Sequence, residues 1–249
     1  MSFYPNNPQF LHEMVIDSIL SIQNYRNYPE GKNPRIIFCP SDYYIYSSGI
    51  MATAYNILLK NKKLKKIIII GYDQNIDGFN YIQENKLYNT LGVFPVDNEL
   101  KNKSNLDFLN LRKKEEINME NIDSQLPFIK TTIKFETIFP IIIGKTNKYI
   151  KLVNFLKNIL ENDETVGIIF SSNLYESDKY NKNIDINLTN SIINFDLKNI
   201  NKSMSKYYTI IKIYSNLSKK MGMKPFLQLN LNSSNFGIKP VKGYFSFVS

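Results

Sequence analysis

The chain has 249 residues, 43% of them hydrophobic and 13% aromatic, with a formal charge of +9; that much apolar material supports a core and excludes a wholly disordered chain. One cysteine, Cys39, excludes an internal disulfide, and one histidine, His12, excludes a two-imidazole iron triad or an ordinary zinc cluster built from this chain alone. The charge leaves nucleic acid or an anionic surface open as a partner, although the lysines are scattered among asparagines, isoleucines and tyrosines as an A+T-rich coding sequence would scatter them.

The opening MSFYPNNPQF has no basic segment followed by an apolar one, so the expected location is cytoplasmic. Pro8, preceded by Asn6 and Asn7, marks a helix start, and the helix is expected to run to about residue 24 with Leu11, Met14, Val15, Ile19 and Ile22 as its apolar stripe. His12 falls beside that stripe and reads as a surface or boundary residue. After a loop over 27–33 come a strand at 36–39, a polar tyrosine-rich loop, an amphipathic helix at 47–60, and a strand at 66–70 closed by Gly71. The basic run at 60–66 suits a solvated helix end. Stretches 98–118 and 178–187 are polar and read as solvated loops.

A second strand, helix, strand unit follows at 139–143, 149–160 and 165–170, and the tail alternates over 224–231 and 243–247 as two strands of an antiparallel part. No apolar run approaches the roughly 18 residues of a membrane span, the best being 67–71 and 139–144. Short, continuously apolar strands alternating with helices predict an α/β three-layer sandwich with a mostly parallel central sheet. With no repeat and no Pro- or Gly-rich linker, a single domain over 1–249 is expected.

In such sheets the loops after the strands' carboxyl ends line a crevice. Here they read Ser41-Asp42-Tyr43-Tyr44, with Tyr46 just beyond, then Tyr72-Asp73-Gln74-Asn75, and Asn173-Leu174-Tyr175-Glu176. The expected lining is tyrosines, amides and a few carboxylates.

Phe3-Tyr4-Pro5, the loop Pro40-Ser41-Asp42-Tyr43-Tyr44-Ile45-Tyr46-Ser47-Ser48, the strand end Gly71-Tyr72-Asp73-Gln74-Asn75, Thr90-Leu91-Gly92-Val93-Phe94-Pro95-Val96-Asp97, Glu120-Asn121-Ile122-Asp123 leading to Leu126-Pro127, Pro140-Ile141-Ile142-Ile143-Gly144, Ser171-Ser172-Asn173-Leu174-Tyr175-Glu176 and Gly243-Tyr244 occur in one order along nearly the whole chain. In that order they resemble the Memo family, which includes the B component of the bacterial AmmeMemoRadiSam gene set and has a fold like class III extradiol dioxygenases. The resemblance brings Asn118–Asp123, with Glu120 and Asp123, to the same crevice. It also implies that metal-site positions of the family are held here by Ser41 and Gln74 where the family has histidines, by Asn173 for an aspartate and Glu176 for a histidine, with no cysteine near 201–206.

Iron, copper and zinc lose affinity when hydroxyl and amide replace imidazole and thiolate, so no such cofactor is expected. The expected function is non-catalytic binding of a peptide, protein or small molecule through a vestigial crevice lined by Asp42, Tyr43, Tyr44, Tyr46, Tyr72, Asp73, Asn75, Glu120, Asp123 and Tyr175. The alternative is a hydrolase or other enzyme in which Asp42, Asp73, Glu120, Asp123 and Glu176 hold a hard divalent cation or act as an acid and base pair. A nucleic-acid-associated basic protein is the weaker alternative, because the lysines form no evident cluster.

Overall fold

β-Branched side chains suit a pleated surface buried on both faces, and the isoleucine runs accordingly form the centre of the molecule. The structure, a computed structural model, describes residues 3–22, 28–29, 32–101 and 107–249. Parts of the expected first helix, of the loop at 27–33 and of the stretch at 98–118 lie outside the described residues. Among these the elements are, in chain order, α1 (Pro8–Leu20), β1 (Ile36–Cys39), α2 (Tyr44–Leu58), β2 (Lys66–Asp77), β3 (Phe79–Ile82), β4 (Lys86–Asn89), β5 (Gly92–Pro95), α3 (Asn98–Lys101), β6 (Leu109–Arg112), α4 (Glu120–Asp123), α5 (Leu126–Thr132), β7 (Thr137–Lys145), α6 (Tyr149–Asn162), β8 (Val166–Ser171), β9 (Tyr175–Ser177), α7 (Lys182–Ile193), α8 (Tyr208–Lys220), β10 (Phe226–Asn232) and β11 (Val241–Val248).

A nine-stranded sheet runs β10-β11-β1-β8-β2-β7-β3-β6, with β9 paired to β11. Its centre, β1-β8-β2-β7, is parallel, in registers such as Ile37 opposite Ile169 and Ile67 opposite Ile138. β11 closes one side antiparallel to β1, and β3 closes the other antiparallel to β7. Helices α1, α2 and α5 cover one face, and α6, α7 and α8 the other. The result is a mixed α/β, three-layer sandwich with a large, mostly parallel central sheet. Ile67 to Ile70, Ile141 to Ile143 and Ile168 to Phe170 are essentially inaccessible, each such side chain contributing about 1.5–3 kcal/mol of burial. No helix among the described residues is long and apolar enough to cross a membrane.

Helix α1 starts as its sequence dictates: Pro8 occupies the first turn and the Asn7 side chain accepts the Phe10 amide at 2.9 Å. Other expectations are revised. β2 does not stop at Gly71. It continues past Tyr72, opposite Ile143, to Asp77, opposite Lys145, so that the intervening residues bulge out of the ladder. The stretch 98–118 is not simply loop, since Leu109–Arg112 pairs with β3; three of its four side chains face solvent, which hides an edge strand in a polar sequence. Residues 182–187 begin α7, capped by Asn181, whose side chain accepts the Asn183 amide at 3.0 Å, with Leu188 and Ile192 buried one turn apart. Asparagine-rich helices have weak intrinsic propensity, and burial of that stripe compensates.

Candidate functional site

The parallel strands β1, β2 and β8 all end at one edge of the sheet. Chain order runs from β1 outward to β2 and β7 and then returns to β8, so the loops at this edge diverge and leave a crevice. It encloses about 240 Å³. Ser41 comes from the loop after β1, Tyr72, Asp73, Gln74 and Asn75 from the β2 bulge, Asn118, Glu120 and Asn121 from the start of α4, and Asn173 from the loop after β8. Phe3, Lys206, Tyr207 and Lys242 complete the lining.

Gly71 lets these loops converge. A Cβ there would lie 3.0 Å from the Asn121 Cβ, and the absence of one allows α4 to sit against β2, where Asn121 donates its side-chain amide to the Tyr72 carbonyl at 2.6 Å. The floor of the crevice is knitted together. The Ser41 amide donates to Asn173 Oδ1 at 3.2 Å, and the Ser41 hydroxyl accepts from Ser124 at 3.1 Å. Beneath them buried Gln125 donates to the Pro40 carbonyl at 3.1 Å and to the Ser171 hydroxyl at 2.8 Å, and Ser171 donates on to the Asn121 carbonyl. Asp73 accepts the Asn75 and Asn118 amides, one on each oxygen, at 2.8 and 3.0 Å. Those bonds hold the β2 bulge against the start of α4.

Two ammoniums and two phenols flank this floor. Asp42, only 2% exposed, takes Lys242 at 2.7 Å and the Tyr244 hydroxyl at 2.9 Å on one oxygen and the Tyr43 amide on the other. Glu176 takes Lys206 at 2.8 Å and the Tyr207 hydroxyl at 3.2 Å. Burial pushes both phenols well above the usual tyrosine range, reinforced by Glu176 at Tyr207 and by Asp42 at Tyr244. They therefore remain proton donors to those carboxylates throughout the neutral range.

The expected site residues divide between wall and core. Ser41, Tyr72, Asp73, Gln74, Asn75, Glu120 and Asn173 line the crevice. Asp42 and Glu176 stand behind the lysines. Tyr43 is half-buried with its ring edge-on to Phe3, 5.2 Å between centroids. Tyr44, 1% exposed, turns inward and donates to the Ser124 carbonyl at 2.7 Å. Tyr46 packs against Phe236 at 5.3 Å. Tyr175, also 1% exposed, lies on Gly243, where a Cβ would come within 2.2 Å of its ring; its hydroxyl is beside the Asp185 carboxylate without a well-formed hydrogen bond. Asp123 is largely covered, one oxygen has no partner, and desolvation raises its pKa, with Lys114 opposing and Glu120 adding to the shift. His12 is exposed on α1, 3.4 Å from the Thr131 hydroxyl and away from the crevice lining.

Phe3, Lys206, Tyr207 and Lys242 are the lining residues that sequence reasoning misses. Lys242 directly precedes the Gly243-Tyr244 pair, which was the available signal; Lys206 and Tyr207 lie in a stretch with no periodicity to place it. As a metal centre the donor set fits poorly: a Ser41 hydroxyl engaged with Ser124, an Asn173 oxygen engaged with the Ser41 backbone amide, an exposed amide at Gln74, and a carboxylate neutralised by Lys206. Among the described residues no group of three or more His, Cys, Asp or Glu side chains is placed to hold a metal ion. Cys39, the one thiol, is buried at the end of β1, where desolvation raises its pKa.

A family model described as Memo-like protein matches residues 2–228 of the chain. No curated protein matches it.

Proposed function

The chain belongs to the Memo-like family, and from that membership we propose a non-catalytic role, the capture of a peptide, a protein or a small molecule at the crevice without a bound transition metal. The observation that carries this reading is the engagement of residues at the family's metal-site positions: Asn173 Oδ1 accepts the Ser41 backbone amide, the Ser41 hydroxyl accepts from Ser124, and Glu176 is bound by Lys206 and Tyr207. Hydroxyl and amide oxygens are poor substitutes for imidazole and thiolate toward iron, copper or zinc, and the Lys206 and Lys242 ammoniums oppose an approaching cation. The carboxylates support the same reading, because a hard cation would have to displace backbone amides from Asp73 or an ammonium and a phenol from Asp42. What the rim offers a ligand is the exposed amides of Gln74 and Asn75, the Glu120 carboxylate and the Lys206 ammonium.

Metal content of the purified, untagged protein by mass spectrometry, followed by titration with iron(II), zinc, manganese and magnesium, tests the proposal. Sub-stoichiometric metal and no saturable binding is the expected result. Near-equimolar, tightly held metal that disappears in Asp73→Asn or Glu176→Gln overturns it and makes a carboxylate-based enzyme the better reading.

A further inference from the structure

Beside the crevice, and sharing Tyr72, Gln74 and Lys206 with it, lies a second cleft of about 450 Å³ between the end of β7 and the start of α8. That volume is within the range of small-molecule sites. Its charged lining residues are Lys145, Lys202 and Lys206, and it has no carboxylate. Lys206 shares its charge with Glu176, standing behind it at 2.8 Å, whereas Lys145 and Lys202 make no ion pair or side-chain hydrogen bond among the described residues. Like charges around one cleft repel, and an anion between them relieves that repulsion.

The start of α8 adds a second, independent feature. This helix of 13 residues has no acidic residue in its first turn, and Tyr207 at its cap position provides no side-chain acceptor. The Thr209 and Ile210 amides have no acceptor among the described residues. Thr209 lines the cleft and is only 3% exposed, yet its hydroxyl has no hydrogen-bond partner among the described residues. Free amides at the positive end of a helix dipole favour an anion, and ammonium groups add charge-assisted donors.

We infer that this cleft binds the diphosphate group of a small molecule, held between Lys145, Lys202 and Lys206 at the start of α8. Tyr72 and Tyr208 supply an aromatic wall on which an organic portion can lie. The inference deepens the binding role proposed above by naming a ligand class for a wall that the crevice shares, and the metal analysis and the titration below fail independently of one another.

Calorimetric titration of the full chain with pyrophosphate, in EDTA-treated buffer at low salt, tests it. Saturable, equimolar binding that weakens as salt is added is expected. Lys145→Met and Lys202→Met each weaken it about tenfold without changing the circular dichroism spectrum. Glu176→Gln, which frees Lys206, tightens it by about threefold, an effect that a merely structural carboxylate would not produce. ADP binding tighter than pyrophosphate identifies an ester as the source of the diphosphate, and the reverse order identifies free diphosphate; both support the site. No binding of either probe at millimolar concentration, or binding unchanged in both lysine variants, overturns it.

Discussion

At the crevice floor the polar atoms answer one another: Ser41 binds Asn173 and Ser124, Gln125 spans Pro40 and Ser171, and Asp42 holds Lys242 and Tyr244. In the cleft against α8, a few side chains away, Lys145, Lys202 and the Thr209 hydroxyl and amide have no acceptor among the described residues. Both regions are polar and both open at the same sheet edge. A buried polar group that is paired adds stability, whereas an unpaired donor within reach of water, such as exposed Lys145 or Lys202, costs the fold little and stays available to a ligand. The contrast separates a floor that stabilises the fold from a wall with donors to spare, and only the second has unspent capacity for an anionic ligand.

Substitutions should therefore act on stability in one region and on binding in the other. The largest expected loss of stability is in Asp42→Ala, which leaves the buried Tyr244 hydroxyl and the partly exposed Lys242 ammonium without their carboxylate and is expected to cost about 3 kcal/mol in urea unfolding. Pyrophosphate affinity should be retained in the folded variant, since Asp42 is not in the α8 cleft. Gln125→Leu removes the acceptor of the Tyr55 hydroxyl and the donor to Pro40 and Ser171, a loss of about 2 kcal/mol by the same measurement. Lys202→Met, by contrast, should leave the unfolding midpoint where it is and weaken pyrophosphate binding. If Lys202→Met destabilised the fold as Asp42→Ala does, the division between floor and wall would fail.

The smallest effect is a pH dependence. Desolvation raises the folded-state pKa of Asp123 above its ordinary value, so between the two values the folded state binds more protons than the unfolded state. Stability attributable to this group is lost as pH rises through the folded pKa and recovered as pH falls toward the ordinary carboxylate value. Asp123→Asn should accordingly raise the urea midpoint at neutral pH and leave it little changed at the acid end of that window. An equal shift at both pH values would place the effect in packing rather than titration.

The central strands were legible because isoleucine runs allow little else, and the loops that follow β1, β2 and β8 were legible as crevice walls because parallel α/β topology brings strand ends together. Ser41, the Tyr72–Asn75 bulge and Asn173 are where that logic puts them. Tyrosine was harder to read. Its ring serves equally as wall or core, so nothing local distinguishes Tyr72, which lines the crevice, from Tyr44 and Tyr175, which pack inside. Lys206 and Tyr207 were hard to read for another reason, and Lys242 was marked only by the Gly243-Tyr244 pair that it precedes. They arrive from the approach to α8 and from the antiparallel strand β11, and their convergence depends on tertiary packing that no local pattern encodes. The extension of β2 past Gly71 likewise depends on its partner, since Asp77 pairs with Lys145 only after β7 has formed.

The most direct test of the contrast is to map pyrophosphate binding by amide chemical shifts in a deuterated, nitrogen-15-labelled sample. Changes concentrated at Lys145, Thr146, Lys206, Thr209 and Ile210, with Ser41, Gln125 and Asn173 unmoved, are the predicted result. Changes centred on Ser41 and Asn173, or spread evenly over the lysines of the surface, would contradict the account.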